Sequence, residues 1–479
     1  MKILFVVGEC LPYIKTGGLA DVIGAVPKIL AKFGHDVRVV LPGYSKIDRE
    51  KFNFKQIIKP FTVNHRGVDY FESVLESDYT TGVTTYIICQ DEFFDREKIY
   101  GESDDEHRFL FFQKSVMTLM DKIDFYPNIV HCHDWHTALI PVYIKEAKNY
   151  GAWQLGETKS IFTIHNLGYQ GRFDAKVLQD AGLSFDLFTP DKLEYYGMLN
   201  FMKGGLVYAD KITTVSPTYA KEILEPQNGW GLDGVLRSRE KDLTGIINGL
   251  DYNDWGPEND LNIPVRYSVY KREGKAKCKE VLQKALGLDA KSEVPMFTLV
   301  SRLAEQKGFD VLAGAIRDLL SNTKAQFVFQ GTGEPEYEKQ AHDLARDFPN
   351  QVKYIDKYNE QMARMIYAAG DIFLMPSKYE PCGLGQMIAL TYGNVPLCAY
   401  TGGLCDTVFD IDMSDNGNGF LFSPVTYDNC KENLWRVYDK YSNHKDIWER
   451  VTTNAFKSKF TWDESVRKYE EVYKQALEK

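Results

Sequence analysis

The stretch from Asp371 to Leu390 reads DIFLMPSKYEPCGLGQMIAL and carries one carboxylate, Glu380, between an apolar run and a helical pattern. The apolar run predicts a buried strand over 371–376. Pro381 is predicted to be the first helical residue, since a missing N–H costs nothing there. Backbone N–H groups at a helix N-terminus bind anionic oxygens. Glu380 could therefore bind the hydroxyl groups of a sugar carried by a phosphate, or be only a first-turn acid favoured by the helix dipole.

Two cations, Arg302 and Lys307, follow another predicted strand over 296–301. They could neutralise a departing diphosphate, as any reaction in which a nucleotide leaves requires. Alternatively, they are two solvated charges. The first interpretation is favoured because Glu380 and the pair Gly402-Gly403 are predicted at strand ends of the same sheet.

The N-terminal segment predicts a strand over 3–7, a loop ending in Lys15-Thr16-Gly17-Gly18, a helix over 19–33 and a strand over 36–41. This order is typical of nucleotide-binding α/β folds, although the GxGxxG fingerprint is absent. Gly17 and Gly18 would let the backbone approach a phosphate or a sugar closely. Lys15 adds a positive charge, and Asp21 lies on the first helical turn. A glycine turn without function is the alternative.

Residues 128–136 read NIVHCHDWH and permit three interpretations. A zinc site is the least favoured, because no partner motif with ligand spacing is present. A strand followed by a helix with Asp134 as N-cap is the second. The favoured interpretation is the carboxyl end of a parallel strand, where α/β folds place ligand contacts. The next buried strand runs into His165, which could contact a ligand or cap the following turn.

Short strands alternate with helices, among them predicted helices over 309–320 and 360–369, and this alternation predicts parallel sheets. The length of 479 residues favours two domains. The sequence contains two α/β series, a polar stretch with prolines between them and a final amphipathic helix. We therefore predict a first domain over 1–250, a linker over 251–268, a second domain over 269–458 and a terminal helix within 459–479.

The net charge of −10 and the pI near 5.5 argue against nucleic acid as the main partner. No apolar run has the length of a membrane span. The 8 cysteines are scattered, which indicates reduced thiols in a cytoplasmic protein. The first strand lacks a signal-peptide cleavage site.

Seven motifs in this order resemble the family of bacterial glycogen synthases and plant starch synthases. They are KTGGLAD (15–21), HCHDWH (131–136), TIHNLGYQG (163–171), INGLD (247–251), SRLAEQKG (301–308), PSKYEPCGL (376–384) and TGGLCDTV (401–408). The resemblance covers nearly the whole chain. It implies a retaining glycosyltransferase with two Rossmann-like domains facing across a cleft, the GT-B fold, and a terminal helix that crosses back to the first domain.

The resemblance also implies residue roles. The catalytic residues would be His165 at the reacting carbon, Glu380 on the transferred glucose, and Arg302 and Lys307 on the leaving diphosphate. The nucleotide sugar would be bound by Lys15, Gly17, Gly18, Asp21, Asn248, Tyr358, Cys382, Gly383, Leu384, Gly402 and Gly403. Tyr358 would lie against the nucleobase. Asp134, Trp135 and His136 would lie in the cleft toward the acceptor.

The reaction implied is transfer of glucose from ADP-glucose to the non-reducing 4-hydroxyl of an α-1,4-glucan with retention. A retaining hydrolase needs two carboxylates about 5 Å apart, and the sequence offers one good candidate, Glu380. Attack from the face that the diphosphate leaves is therefore favoured, and no metal or cofactor is expected. The alternatives are a related enzyme that uses UDP-glucose, a non-catalytic glucan-binding protein and, more remotely, a metalloenzyme built on His131 to His136.

Overall fold

The structure is a computed structural model that describes residues 1–149 and 153–478. The chain divides into two compact units. The first comprises Met1–Gly249 and Trp462–Lys479, and the second comprises Leu250–Thr461.

The first unit contains strands that alternate with helices and one run of five consecutive strands, from the second to the sixth. Its strands are β1 (Lys2–Val6), β2 (Asp36–Pro42), β3 (Lys55–Gln56), β4 (Phe61–His65), β5 (Val68–Ser77), β6 (Val83–Cys89), β7 (Ile129–His133), β8 (Lys159–Ile164), β9 (Arg172–Phe173), β10 (Glu194–Tyr195), β11 (Met198–Asn200), β12 (Lys211–Thr214) and β13 (Leu243–Gly245). Its helices up to Gly249 are α1 (Gly18–Lys32), α2 (Asp91–Phe94), α3 (Asp105–Lys122), α4 (Ile140–Asn149), α5 (Val177–Asp180), α6 (Phe201–Tyr208), α7 (Pro217–Glu222) and α8 (Asp233–Ser238).

The main sheet of the first unit has the strand order β13-β12-β8-β7-β1-β2-β6-β5-β3, with β4 paired to β5. The strands from β13 to β6 are parallel, whereas β3, β4 and β6 run antiparallel to β5. Phe5 of β1 lies in register between Val39 of β2 and His131 of β7. Residues 3–6 of β1 are all buried, so both faces of this strand are covered, as in parallel sheets generally. Strands β9, β10 and β11 form a separate small antiparallel sheet.

The second unit is a regular α/β series. Its strands are β14 (Met296–Val300), β15 (Gln326–Gln330), β16 (Val352–Ile355), β17 (Ile372–Met375), β18 (Val395–Ala399) and β19 (Phe420–Phe422). Its helices are α9 (Glu273–Ala285), α10 (Phe309–Leu320), α11 (Pro335–Asp347), α12 (Glu360–Ala369), α13 (Gly385–Thr391), α14 (Gly402–Thr407), α15 (Tyr427–Asn443) and α16 (Lys445–Lys457). The sheet has the order β16-β15-β14-β17-β18-β19, and every pairing in it is parallel. The predicted α/β class with parallel sheets is confirmed.

The last helix, α17 (Trp462–Leu477), belongs to the first unit. The hydroxyl of Ser465 donates a hydrogen bond of 2.6 Å to the carbonyl of Ile247. Val466, Tyr469 and Tyr473 are buried. The amphipathic helix predicted near the end of the sequence therefore completes the unit in which the chain begins.

Two predicted helices, over 309–320 and 360–369, are confirmed as α10 and α12. The prediction that a helix begins at Pro381 is wrong, because α13 begins at Gly385. Gly383 has a φ of +75°, and a left-handed backbone is incompatible with a continuing right-handed helix. Pro381 lies in the turn that precedes α13.

Residues 251–268, assigned to a linker above, belong to the second unit. Asp260 and Tyr267 are buried there. The hydroxyl of Tyr267 bonds the carbonyls of Ala368 and Tyr392 at 3.0 Å each. The side chain of Arg364 on α12 donates to the carboxylate of Asp254 at 2.6 Å. These bonds tie the segment to α12 and to the turn after α13.

Candidate active site

Each main sheet has a topological switch point, which is a pair of neighbouring strands from which the chain continues in opposite directions along the sheet. In the first sheet this point lies between β1 and β7, since β1 leads to β2 on one side and β7 leads to β8 on the other. In the second sheet it lies between β14 and β17, which lead to β15 and β18. Ligands of open α/β sheets bind outside the carboxyl ends of the strands at such points. In each unit, most of the candidate residues follow these strands.

The loop after β1 places Lys15 and the two glycines at the start of α1. The ammonium of Lys15 lies 2.7 Å from Oδ1 of Asp21, on the first turn of α1. Gly17 is the N-cap and Gly18 the first residue of α1. The first N–H groups of a helix have no intrahelical acceptor, and α1 is long enough for its dipole to favour an anion at this end. The loop therefore places the Lys15 ammonium beside the first backbone N–H groups of α1, which could donate to an anion.

Glu9 lies beneath this loop and is only 3% exposed. Its carboxylate accepts the N–H of Thr16, and the N–H of Gly17 at 3.2 Å. Burial raises the pKa of Glu9 to about 7, although the two N–H groups work against that rise. Sequence reasoning missed Glu9 because it falls in an irregular loop with no motif of its own.

Asp134 and His165 are joined at the ends of β7 and β8. Asp134 has a φ of +56° and occupies the N-cap position of a short 3-10 turn, as one interpretation predicted, but its side chain makes no capping bond there. Its Oδ1 instead accepts the backbone N–H of His165 at 2.8 Å. Burial raises the pKa of Asp134 to about 7. The interpretation of Asp134 as a residue at the carboxyl end of a parallel strand is confirmed.

The His165 ring is held by a second histidine. Nδ1 of His133 lies 2.9 Å from Nε2 of His165, so one ring donates and the other accepts. Burial lowers the pKa of His165 to about 3 and that of His133 well below its ordinary value. Both rings are therefore neutral at pH 7, which is the state in which such a pair can share one proton.

His131, two residues before His133 on β7, packs its ring against the His133 ring. Its ring lies 4.2 Å from that of His133 between centroids. Its Nδ1 lies 2.8 Å from the hydroxyl of Tyr473 on α17, and its Nε2 lies 2.6 Å from the hydroxyl of Thr163 on β8. Both ring nitrogens are thus used by protein groups. The described ranges contain no group of three His, Cys, Asp or Glu side chains placed to hold a metal ion.

Trp135 and His136 are packed into the first unit. Trp135 lies against Gly171, where an added Cβ would come 2.5 Å from the indole. The His136 ring packs at 4.3 Å from that of Tyr100 and at 4.6 Å from that of Phe109. Burial lowers the pKa of His136 to about 3. Because the side chains of Trp135 and His136 are both buried, their packing holds the loop that carries Asp134 in place.

Asn248 follows β13 and is buried. Its Oδ1 has no hydrogen-bond partner among the described residues. A buried acceptor without a partner costs free energy unless a ligand or water supplies a donor. Asn248 is therefore suited to accept a hydrogen bond from a hydroxyl group.

In the second unit, the loops after β14 and β17 bring Lys307 and Glu380 together. The Lys307 ammonium lies 2.5 Å from Oε2 of Glu380, and Ser377 donates to the same oxygen at 3.1 Å. Glu380 is 8% exposed. Arg302, on the loop with Lys307, is exposed to solvent. The close approach of the loops depends on Gly308, with a φ of +70°, where a Cβ would come 1.9 Å from the carbonyl oxygen of Pro376.

The glycines after β18 position the Glu380 loop. The N–H of Gly403 donates to the carbonyl of Glu380 at 3.1 Å. Gly402 has a φ of +44°, and a Cβ there would come 2.0 Å from the same carbonyl oxygen. In the turn between Glu380 and α13, the amide of Gln386 donates to the carbonyls of Cys382 at 3.1 Å and Gly383 at 2.9 Å. Leu384 is the N-cap of α13.

Tyr358 is 63% exposed and lies between β16 and α12. The loop that carries it is fixed by the buried amide of Gln330, which donates to the carbonyls of Lys357 at 3.3 Å and Asn359 at 2.9 Å. The ring is therefore presented outward on a fixed loop. Sequence reasoning did not find Gln330, Ser377 or the His133–His165 contact, since these depend on residues distant in the sequence.

Two family models match the chain. The model described as starch synthase catalytic domain matches residues 2–238, and the model described as glycosyl transferases group 1 matches residues 284–453. Together with two α/β units whose candidate residues lie at sheet switch points, these matches define a glycosyltransferase.

Full-length relatives narrow the class. Proteins named glycogen synthase from Geotalea uraniireducens and Thermotoga maritima are 44% and 43% identical, and each alignment covers 100% of this chain and 99% of the relative. The solved catalytic domain of starch synthase IV from Arabidopsis thaliana, bound to ADP and acarbose, matches with a TM-score of 0.92 at 32% identity over 100% of this chain and 99% of that chain. Sucrose-phosphate synthase from Thermosynechococcus elongatus, at 16% identity and a TM-score of 0.59, shares the fold. The chain belongs to the glycogen synthase and starch synthase family.

Proposed function

We propose that this chain transfers glucose from ADP-glucose to the non-reducing 4-hydroxyl of a growing α-1,4-glucan, with retention at the anomeric carbon and release of ADP. The observation that carries the proposal is the Lys307–Glu380 ion pair at the switch point of the second sheet. One loop supplies cations for a diphosphate, and the next supplies a carboxylate for a hexose. The names of the relatives and the ADP bound to the starch synthase support the choice of donor.

In the second unit, Arg302 and Lys307 would neutralise the diphosphate as its bond to glucose breaks. Glu380 would hold the hydroxyl groups of the glucose, oriented by Ser377 and by Lys307. The N–H groups around Cys382, Gly383 and Leu384 would contact the same donor. Because Gly403 donates its N–H to the Glu380 loop, we assign Gly402 and Gly403 to positioning that loop beside the donor.

Tyr358 would cover the adenine ring. Its exposed ring on a loop fixed by Gln330 supports this role. An aromatic face can stack on any base, so the ring by itself does not select adenine over uracil.

In the first unit, Lys15, the Gly17-Gly18 turn and Asp21 would bind the donor, and Asn248 would accept a hydrogen bond from the sugar. His165 would present its neutral ring to the reacting sugar, with its backbone held by Asp134 and its ring held by His133. Trp135 and His136 would support the acceptor side of this loop. These groups would orient the sugar while the His165 ring stays neutral, without a second proton, at pH 7.

The proposed route has the acceptor hydroxyl attack from the face that the diphosphate leaves. A double displacement needs a second carboxylate about 5 Å from the first, whereas the sequence motifs offer one good carboxylate candidate, Glu380. The departing phosphate oxygen is then the base closest to the incoming hydroxyl. Its charge is stabilised by the cations of the second unit.

We also propose that the protein works in the cytoplasm without a membrane. In the part of the chain that the structure describes, none of the eight cysteines forms a disulfide, in keeping with a reducing compartment. None of the helices in the described part of the chain has the length and apolar content needed to cross a bilayer.

The direct test is incubation of the purified protein with ADP-glucose and a maltooligosaccharide. We expect release of ADP together with stepwise lengthening of the oligosaccharide by α-1,4-linked glucose. UDP-glucose in a parallel reaction tests the donor. Binding of maltooligosaccharide without ADP release from ADP-glucose would contradict the proposal and favour a glucan-binding protein.

A further inference from the structure

Glu9 joins the loop after β1 to the body of the first unit. Its buried carboxylate accepts two consecutive backbone N–H groups, those of Thr16 and Gly17. This places the negative charge of Glu9 where a bound anion would otherwise satisfy the same N–H groups. Gly17 therefore does not offer its N–H to the donor. Gly18, which begins α1, and the ammonium of Lys15 remain.

We infer that Glu9 is a positioning residue for the donor, an inference that rests on the proposed function. Its carboxylate fixes the Lys15–Gly18 loop in the shape that presents the Lys15 ammonium and the Gly18 N–H to the diphosphate of ADP-glucose. The loop is thus preformed, and donor binding does not have to order its backbone.

The packing of the loop supports this role. An added Cβ on Gly17 would lie 3.5 Å from Oε1 of Glu9, so the loop rests directly on the carboxylate. The hydroxyl of Tyr44 donates to the carbonyl of Gly8 at 2.9 Å, which holds the backbone next to Glu9. The Lys15–Asp21 pair at 2.7 Å then ties the loop to α1. The backbone is thus held on both sides of the bonds that Glu9 makes to Thr16 and Gly17.

The charge state of Glu9 determines how strong this support is. The ionised carboxylate can accept both N–H groups, whereas a protonated carboxyl group has one oxygen that carries a proton and accepts more weakly. Its pKa of about 7 results from burial, opposed by the Thr16 and Gly17 N–H groups. The charged and titratable groups that face it are Lys15 and Asp21 from the loop and α1, Asp134 after β7, Cys10 beside it in the chain, and Tyr44 and Tyr100. We therefore expect the support of the loop by Glu9 to weaken as the pH falls through 7.

The experiment measures ADP binding by calorimetry for the wild-type chain, Glu9→Gln, Glu9→Ala and a matched control, Glu72→Gln. Glu72 is also a buried carboxylate of the first unit, 1% exposed with a pKa of about 7, but it bonds Ser115 on α3. We expect Glu9→Ala to weaken ADP binding by about tenfold or more, as loss of hydrogen bonds to a charged acceptor predicts. Glu9→Gln keeps one acceptor oxygen and should weaken it less, and Glu72→Gln should leave it unchanged.

A pH series separates positioning from a general loss of structure. The ratio of the ADP dissociation constants of Glu9→Gln and wild type should fall toward one between pH 8 and pH 6, because protonated Glu9 resembles glutamine. The titration of free ADP is common to both measurements and cancels in the ratio. In turnover, the KM for ADP-glucose should rise in the Glu9 variants, whereas kcat at saturating donor should stay within a few-fold of wild type.

The inference is overturned if Glu9→Ala and wild type bind ADP equally, if the ratio is constant with pH, or if Glu72→Gln weakens ADP binding as much as Glu9→Gln. Should Glu9→Ala fail to fold, the Glu9→Gln ratio alone decides. A wild-type chain that does not bind ADP overturns the proposed function as well. A chain that transfers glucose normally but shows no Glu9 effect overturns only the role of Glu9.

Discussion

At the scale of single residues, the largest effect on the rate of transfer is expected from the Lys307–Glu380 pair. We expect Lys307→Ala to lower kcat by about 100-fold to 1,000-fold, the usual loss when a group that stabilises transition-state charge is removed. Binding of maltooligosaccharide should stay intact. Initial rates with ADP-glucose and a titration with the oligosaccharide would measure the two effects.

Lys378 provides a control from the neighbouring loop. Its ammonium pairs with Glu305 and Asp310 at 2.9 Å each on the surface, and such pairs contribute little. Lys378→Ala should retain kcat within a few-fold. Equal losses in the two variants would mean that Lys307 acts only through the stability of the loops.

Glu72 predicts a pH effect on stability. Its folded pKa of about 7 lies above the unfolded value of 4.5, so the folded state binds more protons between those pH values. Stability therefore falls as pH rises through this window and stays lower above pH 7. Glu72→Gln should remove this loss, about 1–3 kcal/mol, so that its Tm advantage over wild type grows from pH 5 to pH 8. Calorimetry at both pH values would check this, and a pH-independent difference would contradict it.

Candidate site residues could be selected from the sequence where a motif contains them. Lys307 and Glu380 are examples, because both follow predicted strands on loops with glycine and charged residues. Glu9 could not, because its importance comes from burial and from two N–H groups that only the folded loop brings to it. Ser377 is similar: its hydroxyl matters only because the loop turns back on Glu380.

At the scale of elements, the loops after β14 and β17 can meet only because Gly308 has no side chain. Gly308→Ala would have to adopt a φ of +70° and place Cβ 1.9 Å from the carbonyl oxygen of Pro376. We expect a clear fall in Tm and a weaker affinity for ADP, because the shift would separate Lys307 from Glu380. A thermal melt and an ADP titration would measure both.

Gly287 separates backbone strain from steric conflict. It has a φ of +66° with nothing within 4 Å of an added Cβ. Gly287→Ala should therefore cost only about 1 kcal/mol from the left-handed backbone and leave ADP affinity unchanged. If the two alanine variants behave alike, the close approach of the loops is not important for binding.

Regular elements such as α10 and α12 could be predicted, since their apolar residues repeat at helical spacing between clear loops. The start of α13 could not, because Pro381 is a good first helical residue locally, whereas the left-handed backbone at Gly383 delays the helix. Asp134 shows the same limit. Its residue type suits an N-cap, but the nearby N–H of His165 takes the carboxylate.

At the scale of the whole molecule, α17 links the end of the described chain to the centre of the first sheet. Tyr473→Phe would leave the buried Nδ1 of His131 without the hydroxyl that lies 2.8 Å away. We expect the first unit to lose about 1–3 kcal/mol of stability. Hydrogen exchange in β7 and α17 should speed up, with little change in the second unit.

Tyr270→Phe is the matched control, because the Tyr270 side chain is 88% exposed. It should leave exchange in both units unchanged. Unaltered exchange in β7 for Tyr473→Phe would mean that the hydroxyl does not hold α17 to the sheet. The sequence predicted α17 as an amphipathic helix, but its contact with a residue 342 positions earlier depends on the tertiary fold.

The division of the chain has a consequence for biosynthesis. The second unit is inserted between Gly249 and Trp462 of the first, and an added Cβ on Gly249 would come 2.5 Å from the backbone nitrogen of Trp462. During translation, the second unit emerges whole while the first still lacks α17. A ribosome that stops after residue 461 releases a chain in which the second unit is complete but the first unit lacks α17, which leaves apolar residues of the first sheet exposed. Chaperones and proteases can recognise such a product.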